Sequence, residues 1–187
     1  MVPLSALWMP ILLSAVIVFV ASSVMHMMLT YHRADYRRLP EEDKVLAALR
    51  PLKIPPGDYM FPHATSMSAM KDQAFMEKLN AGPNAFMTVR PNGPPAMGGA
   101  LVQWFLFSVV VGLFAAYVAG RTLGPGAHYL GVFRLVGTVA FAGYALAQLQ
   151  SSIWMGRSWG TTIRHVADGL VFALLTGGTF GWLWPDM

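Results

Sequence analysis

Arg164, His165 and Asp168 are the residues of this chain whose types and spacing most invite chemistry. On a helix, Asp168 reaches back to Arg164, four residues earlier, or to His165, three earlier. An acid about two turns into an otherwise apolar stretch is costly unless paired or wetted, and such residues mark functional sites by default. Gln103, Gln148 and Gln150 are expected at a similar depth on neighbouring stretches. Two readings follow. One is a proton- or ion-handling pocket opening to the cytoplasm; the other is a salt-bridge and amide network that locks helices together. Polar residues continuing towards the other side are few, namely Ser108, Tyr144, Thr176 and Thr179.

Histidines supply a second candidate. His26 and His165 fall near the same end of the first and last apolar stretches, and two imidazoles at one depth can ligate a haem or a chlorin from opposite sides. Interfacial histidines in membrane helices more often serve as hydrogen-bonded packing residues, so no cofactor is expected. His63 and His128 lie in loops with no ligand spacing. Met25-His26-Met27-Met28 offers thioether and imidazole donors that suit Cu(I). Adjacent helical residues point in different directions, however, so no metal site is expected there. Arg134 either snorkels to headgroups or pairs with an acid on a partner subunit.

Other templates are missing. The chain has no Gly-x-Ser-x-Gly, no phosphate-cradling glycine loop with its Lys and no His-Glu-x-x-His, so it is not expected to be an enzyme. It has no cysteine, which excludes disulfides and thiolate ligands.

The elements that must position these groups follow from composition. Apolar residues make up 55% of the 187 and charged residues only 12%. Nine of the thirteen Lys and Arg residues and seven of the nine acids lie between Tyr31 and Arg90. The remainder breaks into four stretches long enough to span a bilayer, Leu4–Leu29, Met97–Gly120, Tyr129–Gln150 and Thr161–Trp184. The expected fold is an all-α membrane protein, a four-transmembrane-helix bundle with a small cytoplasmic αβ insertion between helices 1 and 2. Residues 1–30 form the first helix, 31–96 the cap and its Pro-rich linker, and 97–187 helices 2–4. The first stretch has no positive residue before it and is longer than a signal core, so it reads as a retained anchor.

Arg33, Arg37 and Arg38 directly follow the first stretch, and no charged side chain precedes it. The positive-inside rule therefore puts the N-terminus outside, the 31–96 segment in the cytoplasm and, after four spans, the C-terminus outside. The pI of about 9.6 reflects this bias, and no nucleic-acid partner is expected. Within the insertion, Glu42-Asp43 after Pro40 opens a helix, Asp58–Phe61 reads as a strand, Ser66–Asn80 as a second helix capped by Ser66 or Ser68, and Ala85–Val89 as another strand. The two strands are expected to pair.

Small residues at fourfold spacing mark slim helix faces: Gly169, Ala173, Gly177 and Gly181 on the last stretch, and Gly112, Ala116 and Gly120 on the second. In lipid such faces let backbones approach closely. The last stripe is expected to face into the protein's own bundle, against Gly112–Gly120 or Gly143–Ala147.

Ser22-Ser23-Val24-Met25-His26-Met27, Tyr31-His32-Arg33-Ala34-Asp35-Tyr36, Pro56-Gly57-Asp58-Tyr59-Met60-Phe61-Pro62, Gly124-Pro125-Gly126-Ala127-His128-Tyr129 and the closing Gly177–Pro185 run resemble a family of uncharacterised bacterial membrane proteins. The resemblance covers nearly the whole chain and implies a multi-pass bacterial inner-membrane protein. It implies no activity, cofactor or catalytic residue.

The expected role is a non-catalytic accessory or assembly subunit of a larger membrane complex, respiratory or photosynthetic, in contact with the lipid bilayer and other membrane subunits. The alternatives are a small oligomeric transporter or channel using Asp168 and Arg164, and an electron-transfer subunit binding haem or chlorin through His26 and His165.

Overall fold

The computed structural model describes residues 1–186 and divides into two units, one of helices (residues 1–37 and 96 onwards) and one built from residues 38–95. In the helical unit, α1 spans Trp8–Met27. Pro10 sits in its first turn, where the missing N–H leaves no bond unmade. Ser14 Oγ donates to the Ile11 carbonyl at 3.0 Å, and Ser22 and Ser23 both donate to Phe19 O. Hydroxyls turned back onto their own helix satisfy themselves within an apolar surround.

The residue 38–95 unit holds α2 (Glu42–Leu49), β1 (Gly57–Phe61), α3 (Gln73–Ala81) and β2 (Ala85–Val89). Its strands pair antiparallel in a register that runs from Gly57 opposite Val89 to Phe61 opposite Ala85. Thr88 donates to the Asp58 carboxylate across the pair at 2.6 Å. The second helix begins later than Ser66: Ser66 Oγ instead accepts from Ala69 N–H at the start of a 3-10 turn over Ala69–Lys71. Extended backbone at Asp72 then separates that turn from α3.

Back in the helical unit, α4 covers Met97–Thr122, α5 Tyr129–Tyr144, α6 Leu149–Met155 and α7 Trp159–Trp182. A 3-10 turn over Leu146–Gln148 joins α5 to α6, next to the point where Ala145 meets Gly169 of α7.

Two corrections to the expected fold result. Among the described residues three helical segments, not four, are long and apolar enough to cross a membrane: Trp8–Met27, Met97–Thr122 and Tyr129–Met155. They give the chain a multi-pass membrane character. The fourth long helix, α7, is held below that apolarity by Arg164, His165 and Asp168 near its start and by its Thr and Gly residues. The insertion also brings helices of its own, so Met97–Thr122 is the fourth helix of the chain rather than the second. The insertion's strands follow α2 and α3 and lie between Trp8–Met27 and Met97–Thr122.

The helical unit has two buried clusters. Val2, Leu7, Ile11, Ala116, Val136 and Phe180 belong to one, and Val18, Val111, Ala140, Tyr144 and Phe172 to the other. Large side chains such as Val20, Leu106 and Phe114 stay exposed on its outer faces, which suits contact with lipid tails. The slim face of α4 meets the N-terminal part of the chain, with Gly112 against Ile11 and Gly120 against the Val2 carbonyl. The stripe on α7 meets α5 instead: Gly177 lies against Phe133 O and Gly181 against the Tyr129 ring, while Gly169 touches Ala145. Val2 N–H donates to Gly120 O, Gly126 N–H to Pro185 O and Trp184 Nε1 to Gly124 O, tying one end of the unit together. The opposite end gathers the polar residues.

Candidate metal centre

Three short segments meet at that polar end. His26 comes from the last turn of α1. Tyr31, His32 and Asp35 come from a 3-10 turn over Tyr31–Ala34 and the residue that closes it. Arg164, His165 and Asp168 come from the first turns of α7. The connection after α1 thus folds back with the helices.

Asp168 is 3% exposed, and the side chains of Asp35 and His32 are nearly as deeply buried. Arg164 Nε–H donates to Asp35 Oδ1 at 2.7 Å, its Nη2 lies 2.7 Å from the same oxygen, and His32 Nδ1 lies 2.6 Å from Asp35 Oδ2. Tyr31 O–H donates to Asp168 Oδ1. The pairing of Arg164 with Asp168 open to a single helix is therefore replaced by tertiary partners. Asp35 takes Arg164, and Asp168 is approached by Tyr31 and His32.

One meeting stands apart. His32 Nε2 lies 2.9 Å from Asp168 Oδ2, yet both atoms are buried and neither has a hydrogen-bond partner. The atoms are close but misaligned for a proton to bridge them. In the neutral tautomer that donates Nδ1–H to Asp35, His32 Nε2 carries a lone pair and two acceptors face each other, whereas an imidazolium there would make an ion pair with Asp168. Leaving the two acceptors unmatched costs on the order of 1–3 kcal/mol for each group.

The other imidazoles complete the cluster. His26 and His32 stack with centroids 4.3 Å apart, and His165 lies 5.3 Å from His32 and 6.5 Å from His26. His26 Nδ1 is 2.9 Å from the Ser22 carbonyl, to which it donates as the Nδ1–H tautomer, leaving Nε2 as its free lone pair. Donor atoms of His26, His32 and Asp168 fall within 4.8 Å of one another, and so do those of His32, Asp35 and His165.

Electrostatics fix the protonation of the supporting groups. Burial pushes the Tyr31 phenol above its ordinary value, and the hydrogen bond to Asp168 pushes it the same way, so Tyr31 remains a donor. For Asp35, burial raises the carboxyl, but hydrogen bonds from His32 and Arg164 outweigh it and hold it below the ordinary value. It stays an anion that orients His32.

The remaining sequence candidates are dispersed. Gln148 lines a cavity beside the cluster, whereas Gln103 is exposed on α4 and lines no part of it. Arg134 is exposed. His128 caps α5 by accepting from Leu130 N–H. Ser108, Thr176 and Thr179 each donate to a carbonyl of their own helix, so they do not extend a polar path from Asp168.

Sequence reasoning missed Tyr31, His32 and Asp35. The available signal was a His-x-x-Asp turn directly after an apolar stretch that already ends in a histidine. The chain matches no protein-family model, no curated protein and no solved structure.

Proposed function

We propose that the protein is a bacterial inner-membrane subunit that holds one divalent first-row transition-metal ion between His26, His32 and Asp168. The observation that carries this reading is the buried approach of His32 Nε2 to Asp168 Oδ2 at 2.9 Å without a hydrogen bond. With metal bonds of about 2.0 Å to nitrogen and 2.1 Å to oxygen, two donors at a right angle stand roughly 2.9 Å apart. An ion bound to both turns a lone-pair repulsion into two bonds.

The surroundings support the same reading. Asp35 behind His32 and the Ser22 carbonyl behind His26 are the partners that orient metal-bound imidazoles and fix their tautomers. Tyr31 holds the second oxygen of Asp168. Two imidazoles and a carboxylate suit Fe(II), or zinc with an open position, and they do not suit calcium or magnesium, which take oxygen ligands. A macrocycle between His26 and His165 is less favoured, because His32 packs against both rings.

Arg33, Arg37 and Arg38 beyond α1 favour the cytoplasmic side for this end of the unit and the outside for the N-terminus. The chain's small size and missing catalytic motifs favour work within a larger complex. The resemblance to bacterial membrane proteins supports the inner membrane.

The test is elemental analysis of protein purified in mild detergent through a tag without histidine, alongside a native mass. About one ion per chain is expected, falling to background in His32→Ala and Asp168→Ala. A folded protein that carries no ion and takes up none from zinc, iron(II) or manganese would sink the reading, and a bare monomer would sink the subunit role.

A further inference from the structure

A half-open cavity of about 430 Å³ lies beside the centre, lined by α1, α4, α7 and the α5–α6 connection. Its walls are largely apolar. Trp104, Phe107 and Phe172 line it, and the Trp104 ring stands 5.7 Å from each of the two phenylalanine rings. Its polar groups include His26, His165, Asp168 and Gln148, so two of the three ion-facing residues, His26 and Asp168, also line the cavity. Trp104 is held in place by donating Nε1–H to Ser22 Oγ at 2.8 Å.

We infer that this cavity takes a lipid-soluble quinone, with one ring oxygen at the polar end. Three observations choose that occupant. The volume falls within the range of small-molecule sites, and the walls match a flat ring that stacks on or abuts aromatic edges. Among the described residues no Lys or Arg lines the cavity, so an anionic phosphate headgroup would find a carboxylate and no cation to balance it. A neutral carbonyl oxygen, by contrast, meets the Gln148 amide and the His165 imidazole, both of which can donate, and Met97 and Leu101 at the rim are exposed on the apolar helix α4. That the oxygen approaches an ion as well rests on the metal reading above; the fit of the ring does not.

The test uses full-length protein in detergent, its metal content measured on the same sample, and decylubiquinone as probe. Retained quinone and retained lipid phosphorus are quantified after gel filtration at a series of quinone concentrations. Saturable binding of about one quinone per chain is expected. Ser23→Phe and, from the opposite wall, Leu101→Trp should each weaken it at least about tenfold by filling the cavity, with metal content unchanged. Wild-type protein that keeps its ion but shows no saturable quinone binding overturns the inference and leaves the centre standing. So does one phospholipid per chain that quinone does not displace. Saturable binding in protein without any ion supports the cavity assignment while removing the metal from it.

Discussion

His32 Nε2 and Asp168 Oδ2 are buried 2.9 Å apart with no hydrogen bond between them. Replacing one acceptor by a donor satisfies the pair without an ion. In Asp168→Asn, a turn of the side chain that aligns its NH2 with the ring lone pair lets it donate to His32 Nε2 while its oxygen still accepts from Tyr31. Metal-free Asp168→Asn should therefore be at least as stable as metal-free wild type, by up to about 1–3 kcal/mol. Its zinc affinity should fall at least a hundredfold. Thermal unfolding with and without chelator checks both halves, and a metal-free variant that melts well below wild type contradicts the account.

The docking of the Tyr31–Asp35 turn should depend on pH at both extremes. The Asp35 carboxyl is lowered on folding, so its contribution is present above its ordinary value of 3.8 and disappears as pH falls through the folded value below that. The Tyr31 phenol is raised, so its contribution is complete below 10.0 and is lost as pH rises beyond it. Metal-free protein should thus show a stability plateau between these limits. Tyr31→Phe should lower the plateau by about 1–3 kcal/mol and flatten the alkaline limb. A variant whose alkaline limb is unchanged would disconnect the phenol from stability.

Gly177 and Gly178 are sequence neighbours that should respond oppositely to alanine. A Cβ on Gly177 would stand 2.9 Å from Phe133 O and 3.3 Å from the Gly137 backbone, whereas one on Gly178 meets only the Tyr129 hydroxyl at 3.6 Å. Gly177→Ala should cost about 1–3 kcal/mol through helix separation. Gly178→Ala should gain up to about 1 kcal/mol from helix propensity. Denaturation in one detergent compares them directly, and equal effects would show that α7 is not pressed against α5 there.

Ser152 and Thr162 share a buried hydroxyl–hydroxyl bond of 2.6 Å between α6 and α7. Thr162→Val alone should cost about 1–3 kcal/mol by stranding Ser152, and adding Ser152→Ala should recover part of that loss. Strict additivity in this double-mutant cycle would deny the bond a role.

Much of the architecture was legible because charge is so unevenly spread. Long apolar runs ending at Arg33 and Arg121 bound α1 and α4 closely, and the strand at Ala85–Val89 lies where alternation puts it. What apolarity alone overstated was the last run, in which Arg164 and Asp168 offset the leucines and phenylalanines. The start of α3 was misjudged because serines suited to capping served a 3-10 turn. At the site, Asp168 stood out by the cost of burying a charge. Its partners did not, since an irregular connection carries no periodicity to say which way it folds. Local spacing offered Arg164 to Asp168; tertiary packing gave it to Asp35 instead.

The groups that converge at the polar end come from segments far apart along the chain. His26, His32 and Asp35 are made well before Arg164, His165 and Asp168. A nascent chain delivered only as far as α6 presents two imidazoles and one acid but lacks the Asp168 carboxylate. On the metal reading proposed above, ion retention would separate chains that have received α7 from chains cut before it.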